Sequence, residues 1–304
     1  MGGLGLFWYG LTRVSHGAEQ ALGHIDERIQ AFTGHPLKAL LAGVAVAVVF
    51  NSSGATALLT VALVEARLLS LRGAIAIILG ANVGTTVVPQ LLASSVGDLG
   101  LPIAGLGALI SLLCRRPRVR SGGEALLGFG LVMLGLATAA SALAPCARRV
   151  DWDMLIRGTR GTGAGLVIGA VMALVLQSGN AVVAILQGVA AVGGTPLAIL
   201  TPAVMGLNLG SSMPTLLAAL VAGSTGGRRV AVFHVLCNGV GVLALLPLAS
   251  YLTAFCERLS LDPARQVAHV HSLFNLATTA LELPFVSVWE RVCLWLIPPS
   301  PRER

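Results

Sequence analysis

The chain has 304 residues, of which 11% are charged and 55% hydrophobic, with a mean hydropathy of +0.85. A soluble protein carries about 25% charged residues, so this chain has too little polar surface to cover a globule of its size. Its 20 basic and 13 acidic residues give a formal charge of +7, but the arginines fall in short clusters between apolar blocks (Arg115, Arg116, Arg118 and Arg120; Arg148 and Arg149; Arg228 and Arg229). That distribution suits the loops of a membrane protein and argues against a nucleic-acid groove.

Apolar blocks, expected to be helices, run at about 2–14, 37–69, 73–93, 99–114, 124–144, 164–192, 196–222, 230–251 and 267–288. They show no strict alternation, which a membrane-spanning barrel would need. The 37 glycines suit closely packed membrane helices. Met1 to Val14 lacks a basic start before its apolar run and is expected to be a retained first segment. Cys114, Cys146, Cys237, Cys256 and Cys293 have no metal-binding spacing and read as small packing residues.

The chain repeats itself. Asn51-Ser52-Ser53-Gly54-Ala55 in the second block is matched by Gln177-Ser178-Gly179-Asn180-Ala181 in the sixth. Gly80-Ala81-Asn82-Val83-Gly84-Thr85-Thr86 is matched by Gly206-Leu207-Asn208-Leu209-Gly210-Ser211-Ser212. Asn51 to Asn82 and Gln177 to Asn208 are both steps of 31 residues, and the whole unit recurs at an offset of 126. The lead-ins Leu6-Phe7-Trp8-Tyr9-Gly10-Leu11 and Leu131-Val132-Met133-Leu134-Gly135-Leu136 agree as well.

Leu37 to Phe50 is 14 residues, about 21 Å of helix, short of the ~30 Å hydrocarbon core. Ala55 to Leu69 is similarly short. Two short arms about a polar break predict a re-entrant hairpin that enters and leaves on one side. Each repeat then holds three crossings and a hairpin, and an odd number of crossings inverts the second copy. With the 115–123 loop cytoplasmic, thirteen basic residues fall inside and six outside, Arg291 being unassigned, which is the sense the positive-inside rule requires. The segment 145–163, with Asp151, Trp152, Asp153 and Met154, is expected to lie along the interface.

The expected fold is therefore an all-α polytopic membrane protein: an inverted-repeat transporter with two re-entrant hairpins and two unwound helices. Residues 1–120 form the first repeat, 121–251 the second, inverted repeat, and 252–304 a C-terminal membrane helix with an interfacial tail.

Polar residues deep in a membrane need partners and are functional candidates by default. Here they are uncharged amides and hydroxyls grouped with glycines. Glycines on both sides of Asn82 are expected to let its helix unwind and free backbone groups. Freed carbonyls with Asn, Gln, Ser or Thr oxygens suit sodium. Freed amides and hydroxyls at a half-helix N-terminus suit an anion.

These residues also carry a family resemblance. Over nearly its whole length the chain resembles the type II sodium/phosphate cotransporter family, including its bacterial branch. That family is marked by a Gln-Ser-Ser-Ser motif in each repeat, followed by a Gly-Ala-Asn-Ile-Gly-Thr-Thr-like motif. Gly80 to Thr86 matches the second mark almost letter for letter, and Gly206 to Ser212 matches it conservatively. Asp262-Pro263-Ala264-Arg265-Gln266 through His271-Ser272-Leu273-Phe274-Asn275, and Arg228-Arg229 through His234-Val235-Leu236-Cys237-Asn238, also look like the bacterial branch. The chain departs from the first mark, with Asn51-Ser52-Ser53-Gly54 and Gln177-Ser178-Gly179-Asn180. Each copy keeps the leading amide and first serine but loses the hydroxyl at its fourth position, and the second copy loses one at its third.

The resemblance implies that Asn51, Ser52, Ser53, Gln177, Ser178 and Asn180 bind substrate and ion, completed by Asn82, Thr85, Thr86, Asn208, Ser211 and Ser212. It implies symport of inorganic phosphate with sodium across the cytoplasmic (inner) membrane by alternating access. Sodium would be the coupling ion, with no other cofactor or metal and no enzymatic step. The partners implied are phosphate, sodium and the lipid bilayer, with no nucleic acid. A related symporter for another small anion, or a transport-inactive membrane interaction or regulatory protein, are the alternatives. Many bacterial members also carry a PhoU-like helical domain, and none is expected here.

Other residues stand out singly. His234 with Asn238, and His271 with Asn275, sit one helical turn apart, and interhelical hydrogen bonding is expected of them ahead of a metal. Glu282 is the one acid well inside an apolar block. It reads as a proton or cation coupling site, or as a residue facing a polar cavity or pairing with an arginine. Glu65 and Arg67 are expected to snorkel, and Trp289 and Trp295 to anchor an amphipathic tail at the interface. Ser52 and Ser53 have no base at a recognisable spacing, and the Gly80 to Thr86 run lacks a P-loop ending, so hydrolysis and nucleotide binding find no support.

Overall fold

The computed structural model describes residues 33–65, 67–93, 100–147, 162–192, 195–222 and 224–298, with residues 2, 5, 6, 9 and 13 before them. Most of the first predicted block, and the 145–163 segment at Asp151, Trp152, Asp153 and Met154, lie outside the described residues.

Every regular element among the described residues is helical. The first repeat contributes α1 (Pro36–Phe50), α2 (Ser53–Glu65), α3 (Leu71–Gly84) and the short α4 (Val87–Leu92). The paired helices α5 (Gly100–Leu113) and α6 (Pro117–Ala147) follow. The second repeat contributes α7 (Thr162–Leu176), α8 (Gly179–Ala191) and α9 (Leu197–Ala222). Last come α10 (Thr225–Leu245), α11 (Ala249–Leu259), α12 (Pro263–Glu282) and α13 (Val286–Leu296). By length and composition, Leu71–Leu92, Leu197–Val221 and Thr225–Leu259 can each cross a membrane.

The breaks fall at the polar motifs, for a local reason. Asn51 ends α1 in the left-handed conformation at φ 49°, and Gln177 ends α7 at φ 51°. A serine then restarts each helix. Ser52 Oγ accepts the Ala55 N–H at 3.1 Å, and Ser178 Oγ accepts the Ala181 N–H at 3.2 Å. A left-handed amide residue followed by a serine cap stops one helix and starts the next. The arms are 15 and 13 residues long in both copies, about 20–22 Å each.

The packing repeats as well. A Cβ on Gly43 would collide with the Ile77 carbonyl, on Gly80 with that of Leu40, and on Gly84 with that of Val44. In the second copy Gly169 meets Ala203, Gly206 meets Leu166, and Gly210 meets Ala170 in the same way. Each contact maps onto its mate at the offset of 126. The glycines thus let α1 lie backbone-to-backbone on α3, and α7 on α9, where lipid offers helices no hydrophobic drive to associate.

This corrects one expectation. α3 is helical through Asn82 and α9 is helical through Asn208, so neither helix is unwound there. The glycines serve close packing, and neighbouring hydroxyls turn back on their own helix. Thr85 Oγ1 donates to the Asn82 carbonyl at 2.9 Å, and Ser211 Oγ to the Asn208 carbonyl at 3.0 Å. The first copy only tightens at Thr85 and Thr86, both right-handed, before α4; the second runs on unbroken.

The C-terminal helices hold a second duplication. Arg228, Val230, Ala231, His234, Leu236 and Asn238 recur 37 positions later as Arg265, Val267, Ala268, His271, Leu273 and Asn275. The 3-10 turns Leu246–Leu248 and Leu283–Phe285, and Cys256 with Cys293, keep the same offset. Contacts follow. Arg228 Nε donates to the Ala219 carbonyl of α9 at 3.4 Å, and Arg265 Nε to the Ala93 carbonyl beyond α4 at 2.9 Å. Ala93 and Ala219 are themselves 126 apart.

The contacts correspond across both offsets: α10 and α13 pack against the first repeat, and α11 and α12 against the second. Phe233, Cys237, Val286 and Cys293 pack against the first repeat, and Cys256, Val267 and Val270 against the second. The boundary expected between 251 and 252 falls inside α11.

Two of the side chains singled out have specific partners. Trp289 is partly buried and meets Phe233 edge-on, with ring centroids 5.5 Å apart, whereas Trp295 is 79% exposed. Glu65 Oε1 accepts the Ser224 N–H at 2.7 Å, where a carboxylate also complements the N-terminal end of α10.

Candidate functional site

The tips of the two helix–break–helix units meet. Asn180, in the first turn of α8, donates from Nδ2 to the Asn51 backbone carbonyl at 3.3 Å and to the Asn51 side-chain oxygen. Both residues are buried. They border a small cavity, lined from the first repeat by Asn51, Ser52, Ser53, Gly54 and Thr85. The second repeat contributes Gln177, Ser178, Gly179, Asn180, Leu207, Asn208 and Ser211, and His271 enters from α12. Its volume, about 20 Å³ for the centres of water-sized groups, has room for one or two ordered waters.

Nine of the twelve residues singled out in the sequence thus come together. Asn82, Thr86 and Ser212 do not line the cavity. Asn82 Nδ2 donates to Asn238 Oδ1 at 2.9 Å, and Asn238 Nδ2 donates to the Asn208 carbonyl at 2.8 Å. Asn238 therefore bridges the two equivalent asparagines, which is the interhelical role expected of it. Thr86 and Ser212 bond back to the carbonyls of Val83 and Leu209. Asn275 likewise stays on its own helix, donating to the His271 carbonyl at 2.9 Å.

The lining offers both hydrogen-bond donors and acceptors. The first-turn N–H groups of Ser53, Gly54, Gly179 and Asn180 have no intrahelical acceptor, and the ends of α2 and α8 add partial positive charge. Asn51 Nδ2 and Asn180 Oδ1 are buried without a partner, capacity that a bound ion would fill. Among the described residues no carboxylate, lysine or arginine lines the cavity. Among the described residues no group of three His, Cys, Asp or Glu side chains could hold a metal.

Two buried groups lie outside the lining. Glu282 is 2% exposed with neither carboxylate oxygen partnered, so it neither faces this cavity nor pairs with an arginine. His234 is fully buried with both ring nitrogens unpartnered. The residue that sequence reading misplaced is His271. Its access to the cavity depends on how α12 docks, and no local signal sets it apart from His234, its equivalent in the 37-residue repeat.

Comparison with known proteins agrees with the motifs. The sequence model of the Na+/Pi-cotransporter family matches residues 6–141. The Bacillus subtilis (strain 168) protein "Uncharacterized protein YqeW" is 31% identical over 279 residues, covering 91% of this chain and 90% of that protein. The Escherichia coli (strain K12) protein named "Putative inorganic phosphate export protein YjbB" is 30% identical over 264 residues, covering 86% of this chain. The aligned part is 48% of that protein, so the chain spans about half the length of this relative. No solved structure matches the chain. With the duplicated amide–serine motifs, the family match across the first repeat and alignment to a relative over nine-tenths of both lengths, the chain belongs to the Na+/Pi-cotransporter family.

Proposed function

We propose that the chain is a multi-pass protein of the cytoplasmic membrane that moves inorganic phosphate in symport with sodium by alternating access. In this reading residues 1–120 and 121–251 are inverted copies, residues 252–304 complete the bundle, and the two helix–break–helix units are re-entrant hairpins. The observation that carries it is the hydrogen bonding of Asn180 to Asn51, which joins the two tips beside a buried cavity of uncharged donors and acceptors.

Physical chemistry links the two ions. A bare phosphate taken into a dehydrated pocket without formal charge is strongly disfavoured, and so is a bare sodium ion. Together they screen one another, and in low dielectric that mutual attraction is large. Hydroxyls and first-turn N–H groups would hold the anion; amide and backbone oxygens at Asn51, Gln177 and Asn208 would hold sodium. The name of the Escherichia coli relative speaks of export. In this scheme the direction of net flux follows the two gradients, and the same site serves either way.

Uptake of labelled phosphate by proteoliposomes, with and without an inward sodium gradient, tests the reading. Sodium-driven uptake that is lost in Asn51→Ala and Gln177→Ala, with both variants folded, is the expected result. Transport of a different oxyanion would mean that Gly54 and Asn180 have retuned the pocket. A folded protein that moves no anion overturns the transporter reading.

A further inference from the structure

Among the described residues whose side chains line the cavity, His271 alone is ionisable, and it alone comes from outside the two motif-bearing repeats. It is 2% exposed, and its Nδ1 is buried without a partner. A buried nitrogen left open is unfavourable unless a ligand takes it. Asn275, one turn further along α12, does not meet this need, because its amide donates to the His271 backbone carbonyl. The second duplication supplies an internal comparison. His234 holds the equivalent place on α10 and is equally buried, yet it is not part of the lining. The correspondence is broken here, and only one of the paired histidines reaches the cavity.

We propose that His271 is a direct ligand of the transported oxyanion and favours hydrogen phosphate over sulfate. This rests on the reading of the cavity as a phosphate site. The hydroxyls of Ser52, Ser53 and Ser178 and the first-turn N–H groups around the cavity can donate hydrogen bonds, which any tetrahedral oxyanion accepts. Hydrogen phosphate differs from sulfate near neutral pH in carrying an O–H, which needs an acceptor. A neutral imidazole has one donor and one acceptor nitrogen, and its acceptor nitrogen takes that O–H. Sulfate offers no hydrogen and sets an oxygen against the lone pair. A site built to bond a particular hydrogen strongly rejects the analogue that lacks it. Neutral donors serve affinity for either anion; the imidazole supplies the difference between them.

The test is calorimetric titration of the purified full chain with inorganic phosphate in sodium buffer, with sulfate as competitor. His271→Phe and His271→Leu both remove the ring nitrogens, so one of them suffices if the other does not fold. Each is expected to weaken phosphate binding about tenfold or more and to narrow the preference over sulfate. His271→Gln, which keeps a donor and an acceptor, is expected to recover most of both. His234→Leu is expected to bind as wild type does, and thermal unfolding in detergent establishes that each variant is folded. Wild-type affinity and selectivity in His271→Phe or His271→Leu would overturn the proposal. So would an equal loss in His234→Leu, since that loss would come from packing. A wild-type protein that binds no phosphate removes the underlying reading and this proposal together, and is told apart because the unaltered chain fails as well.

Discussion

Asn180 and Asn51 are joined across the two repeats, although the 126-residue offset does not make them equivalents. The equivalent of Asn180 is Gly54, and that of Asn51 is Gln177. The link is therefore made once, where perfect symmetry would make it twice. The changes at the fourth motif positions explain this. Asn180 is long enough to cross to the opposite tip, and Gly54 leaves the reciprocal place empty.

Asn180→Ala takes the donor away from both Asn51 oxygens, which are buried. The expected cost is about 1–3 kcal/mol of stability, read as a lower unfolding temperature in detergent. Asn51→Ala made on top of it is expected to cost less than it does alone, because the shared bond is already gone. A double-mutant cycle would then give a coupling of about 0.5–3 kcal/mol. Strict additivity would mean that the tips are held together by something else.

Glycines in this chain do two different jobs, and alanine separates them. A Cβ on Gly54 meets nothing nearer than the Ser211 carbonyl at 3.5 Å. Gly54→Ala is expected to raise stability by about 0.5–1 kcal/mol through the stiffer helix. A Cβ on Gly80 or Gly206 would run into the backbone of the neighbouring helix, so alanine at either is expected to cost about 1–3 kcal/mol or more. Thermal unfolding of the three variants shows whether the signs divide in this way.

The same glycines show where sequence reading holds and where it stops. Asn51-Ser52 and Gln177-Ser178 were legible as helix breaks because left-handed amides and capping serines act locally, within a few residues. Gly80, Gly84, Gly206 and Gly210 were not legible in the same way. A glycine beside a polar residue can loosen a helix or admit a neighbour's backbone, and only the docking of α1 on α3 and α7 on α9 decides. The repeat of α10–α11 in α12–α13 is spread over helical positions with unlike residues between, so it emerges once the matching Leu-Pro turns are aligned. His271 reaches the cavity through tertiary packing alone, since His234 shares its local pattern and does not.

Glu282 breaks the second duplication with a charge. Its equivalent 37 positions earlier is Leu245, and both of its carboxylate oxygens are buried without a partner. Glu282→Leu is expected to raise stability by about 1–3 kcal/mol, the saving from no longer burying an unpaired polar group. Phosphate binding is expected to persist, because Glu282 lies outside the cavity lining. Calorimetric binding and thermal unfolding on the same sample check both halves. A loss of stability would mean that the acid has a partner in the membrane-embedded protein, such as a bound cation.

The left-handed residues at the two motif breaks differ in how well they suit that conformation. A left-handed backbone costs most L-residues about 1–2 kcal/mol, while asparagine visits it routinely because its short amide bonds locally. Asn51 at φ 49° is therefore comfortable, and Gln177 at φ 51° is strained. Gln177→Asn is expected to raise the unfolding temperature, and Asn51→Gln to lower it, each by the equivalent of about 1 kcal/mol. Gln177→Gly removes the strain more fully but also takes the amide from the cavity wall. If that variant melts higher yet loses sodium-driven phosphate uptake, the strain at Gln177 is held in place for function. If it melts higher and transports as before, the amide is only a helix stop, and the cavity's ligands must be sought among the serines and the first-turn N–H groups.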